Sequence, residues 1–578
     1  MKHIIIFLSL VILSPSAIFG QSKSKSTLIE NIGLIDVTNG QIQTKQNILI
    51  EEERISIISS DKIPTTEGVT IIDGSGKFAM PGMIDTHIHF FQTGSIYTRP
   101  DALDLRHIVP YEDEIQFAKD IIADNFSRYL RLGITTVMDV GGPFFNFKVR
   151  DSIAKKHLSP NVFLTGPLFS PYQPKAFSKL DDIPIEKINS EEEATALFNK
   201  MIAYKPDFIK VWYIVSKDQP ADKNFAIVKH IAELSHKHNL KLSVHATQLE
   251  TAKLAIKAGA DILVHSVDNT EVDQEFVELV KSNDVTYIPT LIVSKNYGRS
   301  FLATPSNHYQ DLEFGHPSVY RSLTDLKKYT DKEVPERIKN LRKDDSRLQA
   351  YYKKSDSIML KNLKTLTESG VNIATGTDAG NIGTLHASSY MQEIETMKLA
   401  GIDNWSILKA STINAAKGFG LSENLGSISE DKLADILILD KNPIENLQNL
   451  NSINTVIKSG QVLVVDTIFK ETPEQLVQRQ VNAYNARNID AFVDTYAEDI
   501  KIYNFPNELI MNGKEQLKTR FKDMFDRVPN LYCEIKNRIV LDNKIVDREY
   551  VRFGDKYSNV IAIYEIIEGK ISKVTFVR

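Results

Sequence analysis

His87-Ile88-His89 places two imidazoles two residues apart inside an apolar run, GMIDTHIHF (82–90). Side chains alternate along a strand, so in an extended run both rings share one face and can chelate one metal ion. Alone, His-x-His is a common chance pattern. Four further residues raise its meaning: Lys210, His245, His265 and Asp378 each lie toward the C-terminal end of another short apolar run. Buried imidazole, amine and carboxylate groups are costly without partners, and groups converging from several strand ends suit a divalent cation. With 13 His and a single Cys in 578 residues, such a site uses nitrogen and oxygen ligands without thiolate. His230, His236 and His238 share one helical stretch and read as a solvated face. His386, in the loop after the last run, and Tyr172, Tyr213 and Tyr287, near strand ends, are candidates for substrate contact.

These residues need a scaffold that brings strand ends to one mouth. Eight apolar runs occur at 82–90, 134–142, 161–169, 208–215, 242–247, 262–267, 285–293 and 371–380, with helical stretches between several of them. Repeated strand–helix units imply a parallel sheet. Eight units over some 300 residues predict an α/β fold with a (β/α)8 TIM barrel, whose active site lies at the C-terminal ends of the strands. An open doubly wound sheet is disfavoured, because no glycine-rich phosphate fingerprint follows any of the runs. Short β-like runs at 27–79 and 426–465 flank the barrel and predict one small β-sandwich built from both ends. The expected division is residues 21–79 with 421–469 for this sandwich, 80–420 for the barrel and 470–578 for a separate α+β unit. The longest insertion, 296–360, lies between the seventh and eighth runs. It reads as a solvated helical excursion or a lid over the mouth.

The chain carries a net charge of −5, which gives no electrostatic footprint for nucleic acid. Residues 1–20, MKHIIIFLSLVILSPSAIFG, have one Lys, an apolar run from Ile4 to Leu13 and a small-residue exit. That is the form of a cleaved secretory signal, and the run is short of the roughly 20 residues a membrane span needs. The mature protein is expected to be soluble and exported, periplasmic or secreted, without stable membrane insertion.

Pro81-Gly82-Met83-Ile84-Asp85 followed by His87-x-His89, with Lys210, His245, His265 and Thr377-Asp378, resembles the amidohydrolase superfamily. So does the barrel exit SILKASTINAAKGFGLSENLGSISEDKLADILILDKNPI (406–444). The likeness runs from 27 to 467 and is nearest to the branch of imidazolonepropionase-like enzymes and Xaa-Pro dipeptidases. It implies a binuclear site, usually zinc. One ion would sit on His87, His89 and Asp378, the other on His245 and His265, with carboxylated Lys210 as the bridge. It further implies hydrolysis of a small amide or peptide-like C–N bond by a metal-activated hydroxide, with Asp378 as the catalytic proton carrier. The same site also suits lactone or ester hydrolysis. A deaminase is a weaker alternative, because Ala246-Thr247-Gln248 follow His245 and the nearest Glu is Glu250. A non-catalytic binding protein would not need all six ligands.

Residues 473–578 resemble the nuclear-transport-factor-2-like, SnoaL-like family, in VQRQVNAYNARNIDAFVDTYAEDIKIYN and the closing IYEIIEGKISKVTFVR. The resemblance implies a curved sheet wrapped by helices, often with an apolar pocket and often dimeric, so a homodimer through this unit is one expectation. Val477, Val481 and Tyr484 at helical spacing, after Thr472-Pro473, predict the opening helix. Cys533 reads as a packed core residue.

Overall fold

A computed structural model of the protein describes residues 26–215 and 219–578. The secretory signal expected at 1–20 lies outside the described residues. Eight strands drawn from both flanks of the barrel form one sheet. Seven run in the order Gln461–Val464, Ile453–Lys458, Ile436–Leu439, Phe78–Pro81, Ser26–Asp36, Gln41–Glu51 and Arg54–Ser59, and Thr70–Asp73 also pairs with Ser26–Asp36. The two flanks meet where Phe78–Pro81 runs antiparallel to Ile436–Leu439. Ile29, Ile32, Leu34, Ile48 and Ile50 pack there with Ile436, Ile438 and Ile457. β-Branched residues suit this pleated, covered surface, and burying each contributes about 1.5–3 kcal/mol.

The barrel begins with the parallel strands Met83–Ile88, Ile134–Asp139 and Asn161–Leu164. It continues through Ile209–Trp212, Leu242–His245, Ile262–Val264 and Thr286–Ile288, also parallel. The two groups join where the Asp207 amide donates to the Leu164 carbonyl at 2.9 Å. The eighth run closes the ring through single bridges, Tyr287 to Ile373 and Ile88 to Ala379. Two of the eight runs depart from plain strands. The third divides at Gly166-Pro167: Gly166 has φ 88° and Pro167 has no amide hydrogen to continue the ladder. Leu168–Ser170 then pairs with the fourth strand on one side, Phe169 opposite Val211, and with Ile185–Lys187 on the other. The eighth leaves strand geometry at Asp378, with φ 61°.

The insertion is helical, with Val293–Phe301, Tyr309–Phe314, Pro317–Ser322, Glu336–Lys343 and the long Ser346–Glu368. It is more than a solvated excursion. Leu312, Val319, Tyr320 and Leu323 share an apolar cluster with Leu476, Val477 and Val481 of the C-terminal helix Pro473–Ala486. Asn482 Nδ2 donates to the Pro317 carbonyl at 2.8 Å across this contact. A chain truncated after residue 472 would leave those four side chains uncovered, at about 1.5–3 kcal/mol each. Calorimetry of the truncated chain is therefore expected to show a lower melting temperature for the barrel, and size-exclusion chromatography to show self-association.

In the C-terminal unit, three helices, Pro473–Ala486, Ile489–Asp494 and Lys514–Arg527, cover a six-stranded sheet. Thr472 and Gln475 form a reciprocal capping box at the first helix, which satisfies two of its free amides. A cavity of about 210 Å3 lies between helices and sheet. Buried Glu549 and Cys533 line it, and the Tyr564 hydroxyl donates to Glu549 Oε1 at 2.7 Å. Burial pushes the Glu549 carboxyl up to about 7, with the Tyr564 hydrogen bond opposing. A carboxyl raised in the folded state contributes stability below its unfolded value, about 4.5, that is lost as pH rises toward 7. The loss is at most about 3 kcal/mol. Glu549→Gln is expected to melt above the parent chain at pH 8 and with it at pH 4.5, checked by thermal unfolding at both pH values.

Candidate metal centre

The first strand delivers His87 and His89 from one face, as alternation requires. The His87 amide donates to Asp85 Oδ1 at 3.3 Å, and the same carboxylate ties strand one to run eight. Thr377 N donates to Asp85 Oδ1 at 3.0 Å and Thr377 Oγ1 to Asp85 Oδ2 at 2.7 Å. The Asp378 amide donates to the His87 carbonyl at 2.7 Å, and the His89 amide to the Ala379 carbonyl at 2.8 Å. These bonds bring the Asp378 carboxylate against both rings: Oδ1 lies 3.3 Å from His87 Nε2 and 3.1 Å from His89 Nε2. His89 Nδ1 donates to the Gly141 carbonyl at 2.8 Å, which fixes its tautomer and leaves Nε2 toward the site.

The fifth and sixth strands supply His245 and His265, whose ring centroids are 4.5 Å apart; His265 is also 4.8 Å from His87. His265 Nδ1 lies 2.8 Å from Thr290 Oγ1 and 3.9 Å from Asp378 Oδ2. His265 and Asp378 both adopt left-handed backbone, φ 74° and 61°. For non-glycine residues this costs on the order of 1–3 kcal/mol, and such strain collects at functional sites. Lys210, from the fourth strand, is 1% exposed. Burial pulls its amine down to about 7, against the opposing charge of Asp378.

The donor set fits a divalent cation. His87 Nδ1, His245 Nδ1 and Lys210 Nζ are buried without a hydrogen-bond partner among the described residues, a costly state unless something else engages the site. Ligand atoms of His87, His265 and Asp378 lie within 4.8 Å of one another. Burial lowers His87 and His245 to about 3 and His265 well below its ordinary value, which favours all three rings in the neutral form. Burial acts to raise Asp378, but the adjoining His87 and His89 outweigh it and hold the carboxyl well below the usual range.

Of the four residues singled out for substrate contact, three have their polar atoms engaged by the scaffold. The Tyr213 hydroxyl is spent on the Ala221 carbonyl. Tyr287 accepts from the Val267 amide at 2.8 Å. His386 is buried with Nδ1 2.9 Å from the Tyr129 hydroxyl and Nε2 2.9 Å from the Gln92 carbonyl. Tyr172 is half exposed on a loop. Sequence reasoning passed over a different set. Asn381 Nδ2 donates to Asp378 Oδ1 at 2.6 Å, while its Oδ1 accepts from Arg99 Nη1 at 2.6 Å and the Tyr297 hydroxyl at 2.7 Å. Arg99 also holds Asp101 through two bonds of 2.8 and 2.6 Å. The one available signal was position: Arg99 and Asn381 lie in loops after barrel strands, and those loops form the mouth.

Residues 78–463 match the model of the Amidohydrolase family. The chain belongs to this family. Residues 477–574 match the SnoaL-like domain. The amidohydrolase is 22% identical over 496 residues to the 5-methylthioadenosine/S-adenosylhomocysteine deaminase of Thermoanaerobacter pseudethanolicus, covering 82% of this chain and 99% of that protein. Among solved structures it resembles a Xaa-Pro dipeptidase with bound methionine, at TM-score 0.58 and 23% identity, over 76% of this chain and 100% of the other. It also resembles the A. niger ochratoxinase, at TM-score 0.56 and 21% identity, over 76% and 96%. The mixed α/β barrel fold is thus that of its family, and the amidohydrolase is an enzyme acting hydrolytically on carbon–nitrogen bonds.

Proposed function

We propose that the amidohydrolase is an exported, metal-dependent hydrolase of an amide or peptide-like C–N bond in a small molecule. His87, His89 and Asp378 would hold one divalent ion and His245 and His265 a second, with Lys210 as a carboxylated bridge and zinc as the expected metal. The observation that carries this reading is Lys210. A buried amine with no hydrogen-bond partner among the described residues, facing His87, His245 and Asp378, is favoured as the neutral base. A neutral amine captures carbon dioxide as a carbamate, whose two oxygens suit divalent ions. Two such ions, when bound, acidify water and polarise a carbonyl.

The remaining work falls to the chain's own groups. Asp378 takes a proton from the attacking water and delivers it to the leaving nitrogen. Asn381 holds Oδ1 of that carboxylate at 2.6 Å, leaving Oδ2 the freer oxygen for the proton. The His89–Gly141 bond keeps Nε2 aimed at the site.

Deamination is the second reading, favoured by the relationship to the Thermoanaerobacter deaminase. It has no support from Glu250, which is exposed on the helix after the fifth strand. Metal analysis and an anomalous-scattering map of the full chain, joined to a panel of N-acyl amino acids, dipeptides, adenine nucleosides and lactones, test both. Two ions per chain and amide cleavage are expected. One ion beside a free Lys210 amine would overturn the binuclear centre, and ammonia release from a nucleoside would replace the amide reading.

Export rests on the leader-like residues 1–20. No helix among the described residues is long and apolar enough to cross a membrane. A homodimer through the C-terminal unit is supported by the edge strand Tyr532–Leu541, which exposes Ile539, Val540 and Leu541. Light scattering that shows a monomer would reject it.

A further inference from the structure

Where the barrel's insertion meets the C-terminal unit, an open cleft of about 1330 Å3 separates them. That exceeds the roughly 300–1,000 Å3 of ordinary small-molecule pockets. Its walls differ in charge from the rest of the molecule. Six cationic side chains face it against three carboxylates, in a chain whose net charge is −5.

Some of these charges are already paired and others are not. On the barrel side, Lys328 pairs with Asp325 at 2.7 Å, and Arg342 with Asp331 at 2.7 Å. Lys327 and Lys343, on the same wall, have no carboxylate within ion-pair distance among the described residues. On the C-terminal side Arg487 likewise has none; it ends the helix Pro473–Ala486 in a left-handed conformation. Among the described residues, none of the three carboxylates lies within ion-pair distance of Lys327, Lys343 or Arg487. Glu534 pairs with Lys536 at 2.8 Å. Asp344 Oδ1 accepts from the Ser346 amide at 2.9 Å and Asp345 Oδ2 from Gln349 Nε2 at 3.3 Å.

Lys327 and Arg487 come from different units yet interact as like charges. Lys327 also lies 5.7 Å over the ring of Tyr532. Further along the wall, Tyr550 and Tyr557 stack at 4.9 Å, with Arg552 5.6 Å over Tyr557. Unpaired like charges held across a junction repel each other. A concave wall focuses their field toward whatever enters, and guanidinium and ammonium donors suit carboxylate and phosphate oxygens.

We propose that this cleft is a second ligand site, separate from the metal centre, that takes a small molecule with two or more anionic groups between Lys327, Lys343 and Arg487. Because its cations come from both units, the site exists only where the SnoaL-like unit is docked on the insertion. A bound anion would screen the repulsion and fasten the junction.

The test uses full-length protein and isothermal titration calorimetry at constant ionic strength, with citrate in one arm and pyrophosphate in the other. Saturable binding of at least one anion is expected in the parent chain. Lys327→Gln and Arg487→Gln should each weaken it at least fivefold, and Lys353→Gln, outside the cleft, should not change it. Stronger binding of citrate assigns a polycarboxylate ligand, and stronger binding of pyrophosphate a phosphorylated one. Circular dichroism and melting curves matching the parent keep a folding defect apart from a binding defect. Absence of binding in both arms, or binding unchanged in both cleft variants (as for an anion held at the metal centre), would overturn the proposal.

Discussion

Replacing Asp378 with asparagine is expected to lower kcat by about 10²–10⁴-fold, the usual worth of a positioned proton carrier. Asparagine keeps the shape of the side chain but cannot accept and release the proton. The structure makes the change local. The backbone bonds that place residue 378, from its amide to the His87 carbonyl and from the His89 amide to the Ala379 carbonyl, do not involve the carboxylate. Metal binding should weaken without vanishing, because His87, His89, His245 and His265 remain. Steady-state kinetics on the substrate found by profiling, with metal content measured on the same preparation, checks this. Retention of substantial turnover with full metal content would assign the proton transfer elsewhere.

Lys210→Met is expected to have an effect as large, by another route. Methionine is similar in length and tolerates burial, so the change is confined to the site-facing side of the fourth strand, and Ile209 and Val211 on its other face, both buried, are not disturbed. What disappears is the amine that can become a carbamate. Metal analysis should fall from two ions per chain toward one, and the carbamate carbon signal from protein prepared in 13C-bicarbonate should be absent. Activity should fall by at least two orders of magnitude if one ion polarises the carbonyl while the other acidifies water. An unchanged metal content would show that Lys210 is no ligand, and its burial would then need a different cause.

The two variants separate what the sequence alone could say. The barrel was legible because its signal is local. A short apolar run flanked by helical stretches reads as a buried strand wherever it lies. Ordering eight of them placed His87, His89, Lys210, His245, His265 and Asp378 at one end. The opening helix of the C-terminal unit was legible for the same reason, since Thr472 and Pro473 act within one turn and Val477, Val481 and Tyr484 repeat at helical spacing. For Tyr213, Tyr287 and His386 the sequence showed a place near a strand end but not the bonds that fasten each to the scaffold. The difference lies in partners, such as Ala221, Val267 and Gln92, that no spacing rule connects to them.

By itself, then, the sequence determined the donor types, their strand-end positions and the α/β class, all of which follow from backbone alternation and short-range periodicity. Tertiary structure alone decided that Asp85 clamps Thr377, 292 residues away. It decided that Asn381 joins Arg99 and Tyr297 to Asp378, and that the insertion forms a dock for the SnoaL-like unit. Those contacts carry no period in the chain. They arise only when loops from distant strands are brought to the same mouth, where burial leaves each polar group to find its partner.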